Sequence, residues 1–549
     1  MKVINKIKSK LTIACIVVVG LMGISTELND FEIAKNLEIF SNIYRELNTF
    51  YVDEVDPEHL METGVEAMLS SLDPYTTYIP ADEVAQFRST ITGKYGGVGA
   101  SIVQGKKHVI ISLPYEGGPA QKSGLQVGDK MLEIDGESVV GNTIREVSSK
   151  MRGIPGSEVK IKVERIGKDA PLAVTLKRAE IKVSNTPYYG VVDGDIGYIV
   201  LSTFSENAGR NVANALTELK EKHDLKGVVL DLRGNTGGLL TEAVNVVNVF
   251  VKKGSMVVQI KGRDKERNQI FRTLNNPIDS DIPVSVLIDG GSASASEIVA
   301  GAIQDLDRGV IIGQRSYGKG LVQNTRDLSF GAKVKLTTAR YYIPSGRCIQ
   351  ALKYNNGKPE QISDSLRTPY QTMGGRAVYD GGGIQPDVVL DNKTFLKIMR
   401  TLRKDLYLFD YAALYKSKHT SIAKAGDFKL TDKDFEDFLA FLKEKGYTYK
   451  TNTERLLDNL EREAKGEAYE EQVQEELADI KTILEESSQG ELKKQKDRLL
   501  NILQRYIAMN YYYESGGIEA GANADVEISK ATSLLKNKTA YQNILIAKK

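Results

Sequence analysis

The sequence predicts an α/β core flanked by a small α+β module on one side and an all-helical region on the other. Three observations carry this. Three apolar runs, Val228 to Leu232, Val284 to Ile288 and Val310 to Ile312, read as buried strands, each leading into a Gly-rich turn. Between 91 and 180, short runs of strand-like composition alternate with glycine turns. Beyond 396 the chain turns rich in Lys, Glu, Leu and Tyr at helical spacing, and glycine is scarce until Gly516-Gly517.

The elements follow in chain order. Lys2, Lys6, Lys8 and Lys10 precede an apolar run from Leu11 to Ile24. A charged start and a run of this length read as a secretory signal over 1–28. The run is shorter than the roughly 20 residues that span a bilayer, and Gly23-Ile24-Ser25 offers a weak small-x-small cleavage site. An uncleaved membrane anchor stays open. Cys15 lies inside the run without the leucine of a lipidation site three positions earlier.

Residues 29–90 read as a helical segment, with Ile33, Leu37, Phe40, Tyr44 and Leu47 at helical spacing. Leu72 to Pro80 follows as an ordered loop between two prolines. In the 91–180 module the strands are Val109 to Ile111, Lys130 to Ile134, Val159 to Val163 and Leu172 to Leu176. Asp135-Gly136 and Gly167-Lys168-Asp169 read as hairpin turns, and Thr143 to Arg152 as one helix. In the core, helices are expected from Leu239 to about Lys252 and along Ile298, Val299, Ala302, Ile303 and Leu306. The region over 396–549 reads as a helical appendage without a motif that carries chemistry.

Composition excludes some functions. The chain has 549 residues, too many for one core, and a net charge near +1, which gives no footprint for nucleic acid. After removal of the signal only Cys348 remains, so an exported form has no internal disulfide and rests on core packing. Cys348 has no histidine near it in sequence and reads as a small buried residue.

The candidate chemistry sits at three strand ends. Gly291-Ser292-Ala293-Ser294-Ala295-Ser296-Glu297 lies between a strand and a helix. A serine there has an exposed hydroxyl beside free N–H groups, the parts of an acyl-transfer site, although a serine-rich helix cap has the same look. Asp231 to Gly238 follows another strand, and in an α/β layer such ends share one edge of the sheet. Gly237 or Gly238 can supply one oxyanion N–H and Ala295 another. The four histidines, His59, His108, His223 and His419, stand outside these motifs, so a lysine is the candidate base. Lys319, in Ser316-Tyr317-Gly318-Lys319-Gly320-Leu321-Val322-Gln323, is flanked by glycines and apolar residues, which suits a buried amine that loses its proton near working pH. Gln323 is placed to orient it.

Taken together, Leu72 to Pro80, Tyr95 to Gly99, Asp231 to Gly238, Ser292 to Asp305, Gly318 to Gln323, Tyr342 to Gln350 and Gly382 to Asp387 resemble the carboxy-terminal processing (tail-specific) peptidases, over about Phe31 to Leu390. The resemblance implies that the middle serine, Ser294, is the nucleophile and Lys319 its base, with Gln323 four positions beyond. It implies a serine protease core related to crotonase-like folds of ββα units, with no metal or cofactor. It names the 91–180 module as an inserted PDZ domain, in which Tyr95, Gly96, Gly97, Val98 and Gly99 hold a terminal carboxylate and a peptide adds as a strand beside Ala100 to Val103. Arg152, at the end of the module's helix, is a candidate for gating. The expected partners are polypeptides with free C-termini, in the periplasm or at a membrane facing the cell envelope. A homo-oligomer stays open, as does a non-catalytic PDZ adaptor on a protease fold, which the intact Ser294, Lys319 and Gln323 set disfavours.

Overall fold

The computed structural model describes residues 30–390, 393–447, 452–467 and 469–546. The segment read as a signal, with Cys15, lies outside the described residues. Two compact units share the chain. Residues 30–81, Thr325–Leu336 and Tyr354–Lys358 form one; Asp82–Asn324, Thr337–Lys353 and residues 359–546 form the other.

In the first unit, helix α1 (30–50) and helix α2 (Pro57–Ser70) precede strand β1 (Thr77–Ile79). Asp56 caps α2 by accepting from the amides of Glu58 and His59. Asp73 is buried, and its Oδ1 accepts from the amides of Tyr75 and Thr76, both at 2.8 Å. This Asx-type turn is what the ordered loop Leu72 to Pro80 is built on. β1 pairs antiparallel with residues 333–335, Thr77 opposite Lys335.

The second unit opens with helix α3 (Val84–Thr92), followed by β2 (Lys94–Gly97), β3 (Ala100–Gln104), β4 (Val109–Pro114), β5 (Lys130–Ile134), helix α4 (Ile144–Met151), β6 (Glu158–Glu164), β7 (Leu172–Lys177) and β8 (Ala179–Lys182). The sheet order is β3-β4-β5-β6-β7, which leaves β3 at an edge. Asp135 and Gly136 both take positive φ, 51° and 87°, the conformation of a tight hairpin turn after β5. A Thr143–Glu146 capping box starts α4. Val109, Ile111, Met131, Val147 and Ile161 fill this module's own core.

A mainly parallel six-stranded sheet runs in the order β9 (Tyr188–Val192), β10 (Ile196–Val200), β11 (Gly227–Asp231), β14 (Val284–Ile288), β15 (Val310–Gly313) and β18 (Val388–Val389). β9 and β10 form an antiparallel hairpin and the rest pair in parallel. Helices α5 (Ala208–Lys222), α6 (Leu240–Asn248) and α7 (Ala295–Asp305) connect these strands and cover one face with Val212, Leu216, Val247, Ile298 and Val299. α6 is shorter than its apolar pattern suggests. Two further strands serve the site below. β12 (Met256–Gly262) pairs with the 339–342 part of β17 (Lys333–Tyr342), and β16 (Leu321–Asp327) pairs β17 as well; β13 (Gln269–Arg272) is the hairpin partner of β12.

The C-terminal helices are α8 (Lys393–Lys404), α9 (Tyr407–Lys418), α10 (Asp432–Glu444), α11 (Asn452–Gly466), α12 (Glu470–Lys494), α13 (Lys496–Ala522), α14 (Val526–Lys536) and α15 (Lys538–Leu545). Leu402, Leu408, Phe435, Phe438, Leu503 and Ile507 make a core of their own. The region is nevertheless more than an appendage. Ile518, Ile528, Ala531, Leu535 and Tyr541 pack against Tyr198, Val229, Leu287 and Ile312, the second face of the mainly parallel sheet. A parallel sheet is apolar on both faces and needs both covered. The Tyr541 hydroxyl donates to the carbonyl of Val284 (2.9 Å) and accepts from its amide (3.0 Å). Among the described residues no helix is long and apolar enough to cross a membrane.

Candidate active site

The carboxyl ends of β11, β14 and β15 carry the three glycine-rich motifs to one edge of the sheet. Ser294 is the N-cap of α7 and has φ 56° and ψ −112°. A non-glycine residue holds such a conformation only when its surroundings impose it. The three serines of the motif then divide. Ser292 and Ser296 are fully buried, their hydroxyls donating to the carbonyls of Leu232 (2.8 Å) and Asn235 (2.7 Å). Ser294 alone is partly exposed.

Ser294 and Lys319 come from separate turns and are tied together by two side chains. The Glu297 carboxylate is fully buried. Its Oε2 accepts from the backbone amides of both Ser294 (2.8 Å) and Lys319 (2.9 Å). Its Oε1 accepts from the Gly318 amide (2.7 Å) and the Ser316 hydroxyl (2.6 Å). The Tyr341 hydroxyl sits against both carbonyls, 2.5 Å from that of Lys319 and 3.1 Å from that of Ser294. Burial pushes the Glu297 carboxyl up to about 7, against the four donors that favour its charged form. Lys319 is half-buried between two buried glycines. A Cβ on Gly318 meets Ala351 at 2.3 Å and one on Gly320 meets the Gln350 amide nitrogen at 2.8 Å, so only glycine fits on either side of the lysine. Gln323 lies on β16, the strand that leaves Lys319, and its amide donates to Thr337 Oγ1 at 3.1 Å.

The Asp231 to Gly238 loop lies against Ser294. A Cβ on Gly237 sits 2.9 Å from Ser294 Cβ and 3.0 Å from the Ala295 nitrogen. The Gly237 amide donates to Asn235 Oδ1 (2.9 Å). Among the described residues the amides of Gly238 and Ala295 have no protein acceptor. Asp289, at the end of β14, joins loop and turn: its Oδ1 accepts from the amides of Gly234 (2.9 Å), Gly291 (2.9 Å) and Ser292 (3.1 Å).

Tyr95 to Gly97 lie on β2, paired with β8, and Val98 and Gly99 lead into the edge strand β3. Beside β3 opens a cavity of about 400 Å³ lined by Tyr95, Val98, Ile102, Arg152, Thr203 and Ser205. The Arg152 guanidinium stacks 4.7 Å over the Tyr95 ring and donates to Ser89 Oγ (3.2 Å) and Ser148 Oγ (3.4 Å). Arg152 is thus part of the wall of this cavity. Cys348 is half-buried, and burial pushes its thiol up, which leaves it a poor nucleophile. The histidines stand on other elements: His59 in the first turn of α2, His108 just before β4, His223 at the end of α5, and His419 stacked on Tyr415.

Residues 195–355 match the model of peptidase family S41, residues 110–165 that of a PDZ domain, and residues 398–535 that of a probable PDZ-protease C-terminal helical domain. A carboxy-terminal-processing protease of Bartonella bacilliformis is 38% identical over 330 residues, 60% of this chain and 75% of the relative. The chain belongs to the carboxy-terminal processing proteases. The CtpB protease of Bacillus subtilis is 36% identical over 357 residues, 62% of this chain and 74% of the relative. A solved photosystem II D1 C-terminal processing protease is 30% identical, with 65% of this chain and 93% of that one aligned at a TM-score of 0.36. The family is one of serine-type endopeptidases, so this carboxy-terminal processing protease is a serine protease that carries a PDZ domain and a C-terminal helical domain.

Four residues of this carboxy-terminal processing protease are organisers that motif reading passes over. Glu297 stands three residues after Ser294, the spacing of a capping box, and that signal was available. Asp289 directly follows a buried strand, a common place for a side chain that closes a turn. Tyr341 is a strand residue like its neighbours, and only the tertiary fold brings its hydroxyl here. Arg233, within the glycine-rich motif, has partners close to 300 positions away.

Proposed function

We propose that this chain is a tail-specific serine endopeptidase with a Ser294–Lys319 dyad, acting on exported proteins whose free C-termini bind its PDZ domain. The observation that carries the reading is the shared grip of Glu297 and Tyr341 on the backbones of Ser294 and Lys319. Neutral Lys319 accepts the hydroxyl proton of Ser294 as its Oγ bonds to the scissile carbonyl carbon. The oxyanion is met by the amides of Ala295 and Gly238, with Gly237 committing its own amide to Asn235. The Lys319 ammonium then returns the proton to the leaving amine as the C–N bond breaks. Water attacks the acyl ester, releases the new carboxylate terminus and restores Ser294. Gln323 keeps the lysine side of the site in place.

The substrate's terminal carboxylate meets the loop Tyr95 to Gly99, and its last residues extend β3 as an added strand in the cavity beside Arg152. Gating by Arg152 is read in the same way: its stack on Tyr95 and its bond to Ser89 join the carboxylate loop to α3, so a ligand there changes both. The parts of this reading are 29–90, 91–180, 181–395 on a crotonase-like ββα plan, and 396–549. The charged and apolar start directs the chain out of the cytoplasm, to the periplasm or a membrane-anchored position facing the cell envelope.

The test is cleavage of a peptide with an apolar C-terminus, presented free or amidated. The wild type is expected to cleave the free form faster, while Ser294→Ala and Lys319→Ala each abolish cleavage of both. Full activity of either variant sinks the dyad, and equal rates on the two peptides sink the role of the carboxylate.

A further inference from the structure

Arg233 stands between the end of β11 and the glycines of the loop beside Ser294. Its guanidinium grips Asp231 behind it: Nη2 donates to Oδ2 at 2.6 Å and Nε to Oδ1 at 3.0 Å. The Tyr198 hydroxyl donates to the same Asp231 Oδ2 (2.8 Å). The free end of the guanidinium points to the C-terminal helical domain. Nη1 donates to both oxygens of Asp525, at 3.1 and 2.9 Å, and lies 3.5 Å from Glu527 Oε2. The pair is largely shielded, with side-chain exposures of 21% for Arg233 and 20% for Asp525. Burial pushes the Asp525 carboxyl up, and the Arg233 charge, the Ile528 amide and the hydrogen bonds from its neighbours together outweigh it and hold the group below its usual range.

We propose that Asp525 is a positioning residue for the proteolytic reaction, fixing Arg233 and, through it, the loop that carries Gly237 and Gly238. The inference rests on reading that loop as the oxyanion side of the Ser294 site. The core holds the loop at other points, since Asp289 takes the Gly234 amide and the Asn235 side chain bridges the Leu201 carbonyl and the Gly237 amide. Asp525 adds a hold from outside the core. The loop is therefore held from both sides, by the core and by the docked helical domain. α14 begins at Val526, directly after Asp525, and packs on the sheet through Ile528, Ala531 and Leu535, so the clamp is set by the same helix that covers the sheet. Because oxyanion donors act on charge that develops in the transition state, loosening them lowers kcat and leaves KM nearly unchanged.

Asp525 also caps α14, accepting from the Ile528 amide at 3.0 Å. Asparagine caps as well as aspartate, so Asp525→Asn keeps the helix start while removing the charge through which the helical domain grips Nη1 of Arg233, with Asp231 left in place. The experiment uses the full chain and a fluorogenic peptide with a free apolar C-terminus, with thermal unfolding of each variant alongside. Asp525→Asn is expected to lower kcat at least tenfold with KM within twofold and the unfolding temperature within a few degrees, and Asp525→Glu to recover most of the loss. An unchanged kcat in Asp525→Asn overturns the proposal. So does a loss carried by KM, or one that follows a lost folded fraction. If the wild type itself shows no Ser294-dependent cleavage, the reading of the site falls first and the positioning role with it.

Discussion

Glu297 is the residue on which the site turns. One oxygen holds the amides of Ser294 and Lys319, so any change in its charge or reach moves both residues together. Glu297→Gln puts an N–H where a donor now points, and a displacement of this kind near reacting atoms costs on the order of 100-fold in rate; kcat measured on a peptide substrate checks it. Glu297 also sets a pH trend in stability. Its folded pKa, about 7, lies above the ordinary 4.5, so the native state holds a proton that the unfolded chain has released between these values. Its contribution is therefore fully present below 4.5 and is lost as pH rises through 7, on the order of 3 kcal/mol in all. Denaturant unfolding at pH 5 and pH 8 is expected to show this fall in the wild type and a flatter dependence in Glu297→Gln. Gly237→Ala belongs to the same scale. Its φ of 105° and a Cβ 2.8 Å from the Ala293 carbonyl oxygen leave no room, so the loop must shift from Ser294. Peptide cleavage by this variant is expected to fall at least tenfold.

At the scale of elements, much was legible in advance because the signals are local. The apolar runs at Val228, Val284 and Val310 are strands because both faces of a parallel sheet are buried, and the glycine motifs after them share an edge because the strands run the same way. The turn at Asp135-Gly136 and the helix after Thr143 follow from turn and cap chemistry. What was not legible depends on distant partners. The choice among Ser292, Ser294 and Ser296 has a physical basis only once Leu232 and Asn235 are seen to take the outer two hydroxyls. Asp387, the last residue of the Gly382 to Asp387 motif, is an anchor that reaches partners far along the chain. It accepts from the Ile311 amide, Arg376 and Gln304, which pins the far end of α7. The grip of Tyr541 on Val284 is likewise invisible locally. Tyr541→Phe removes both bonds, and chemical denaturation is expected to show a loss of about 1–3 kcal/mol.

At the scale of the whole molecule, the C-terminal helices complete the protease sheet on one face and send Asp525 to its working loop. A chain cut before Ile518 exposes Val229, Leu287 and Ile312 and is expected to aggregate on size-exclusion chromatography, although the S41 match ends at residue 355. We propose that Ser294 attacks with Lys319 as its base. Intact-mass and peptide-mapping mass spectrometry after exposure to diisopropyl fluorophosphate tests it most directly. One adduct is expected, on Ser294, and it disappears in Lys319→Ala and in Ser294→Ala. An adduct on another residue, or undiminished labelling of Ser294 in Lys319→Ala, contradicts it.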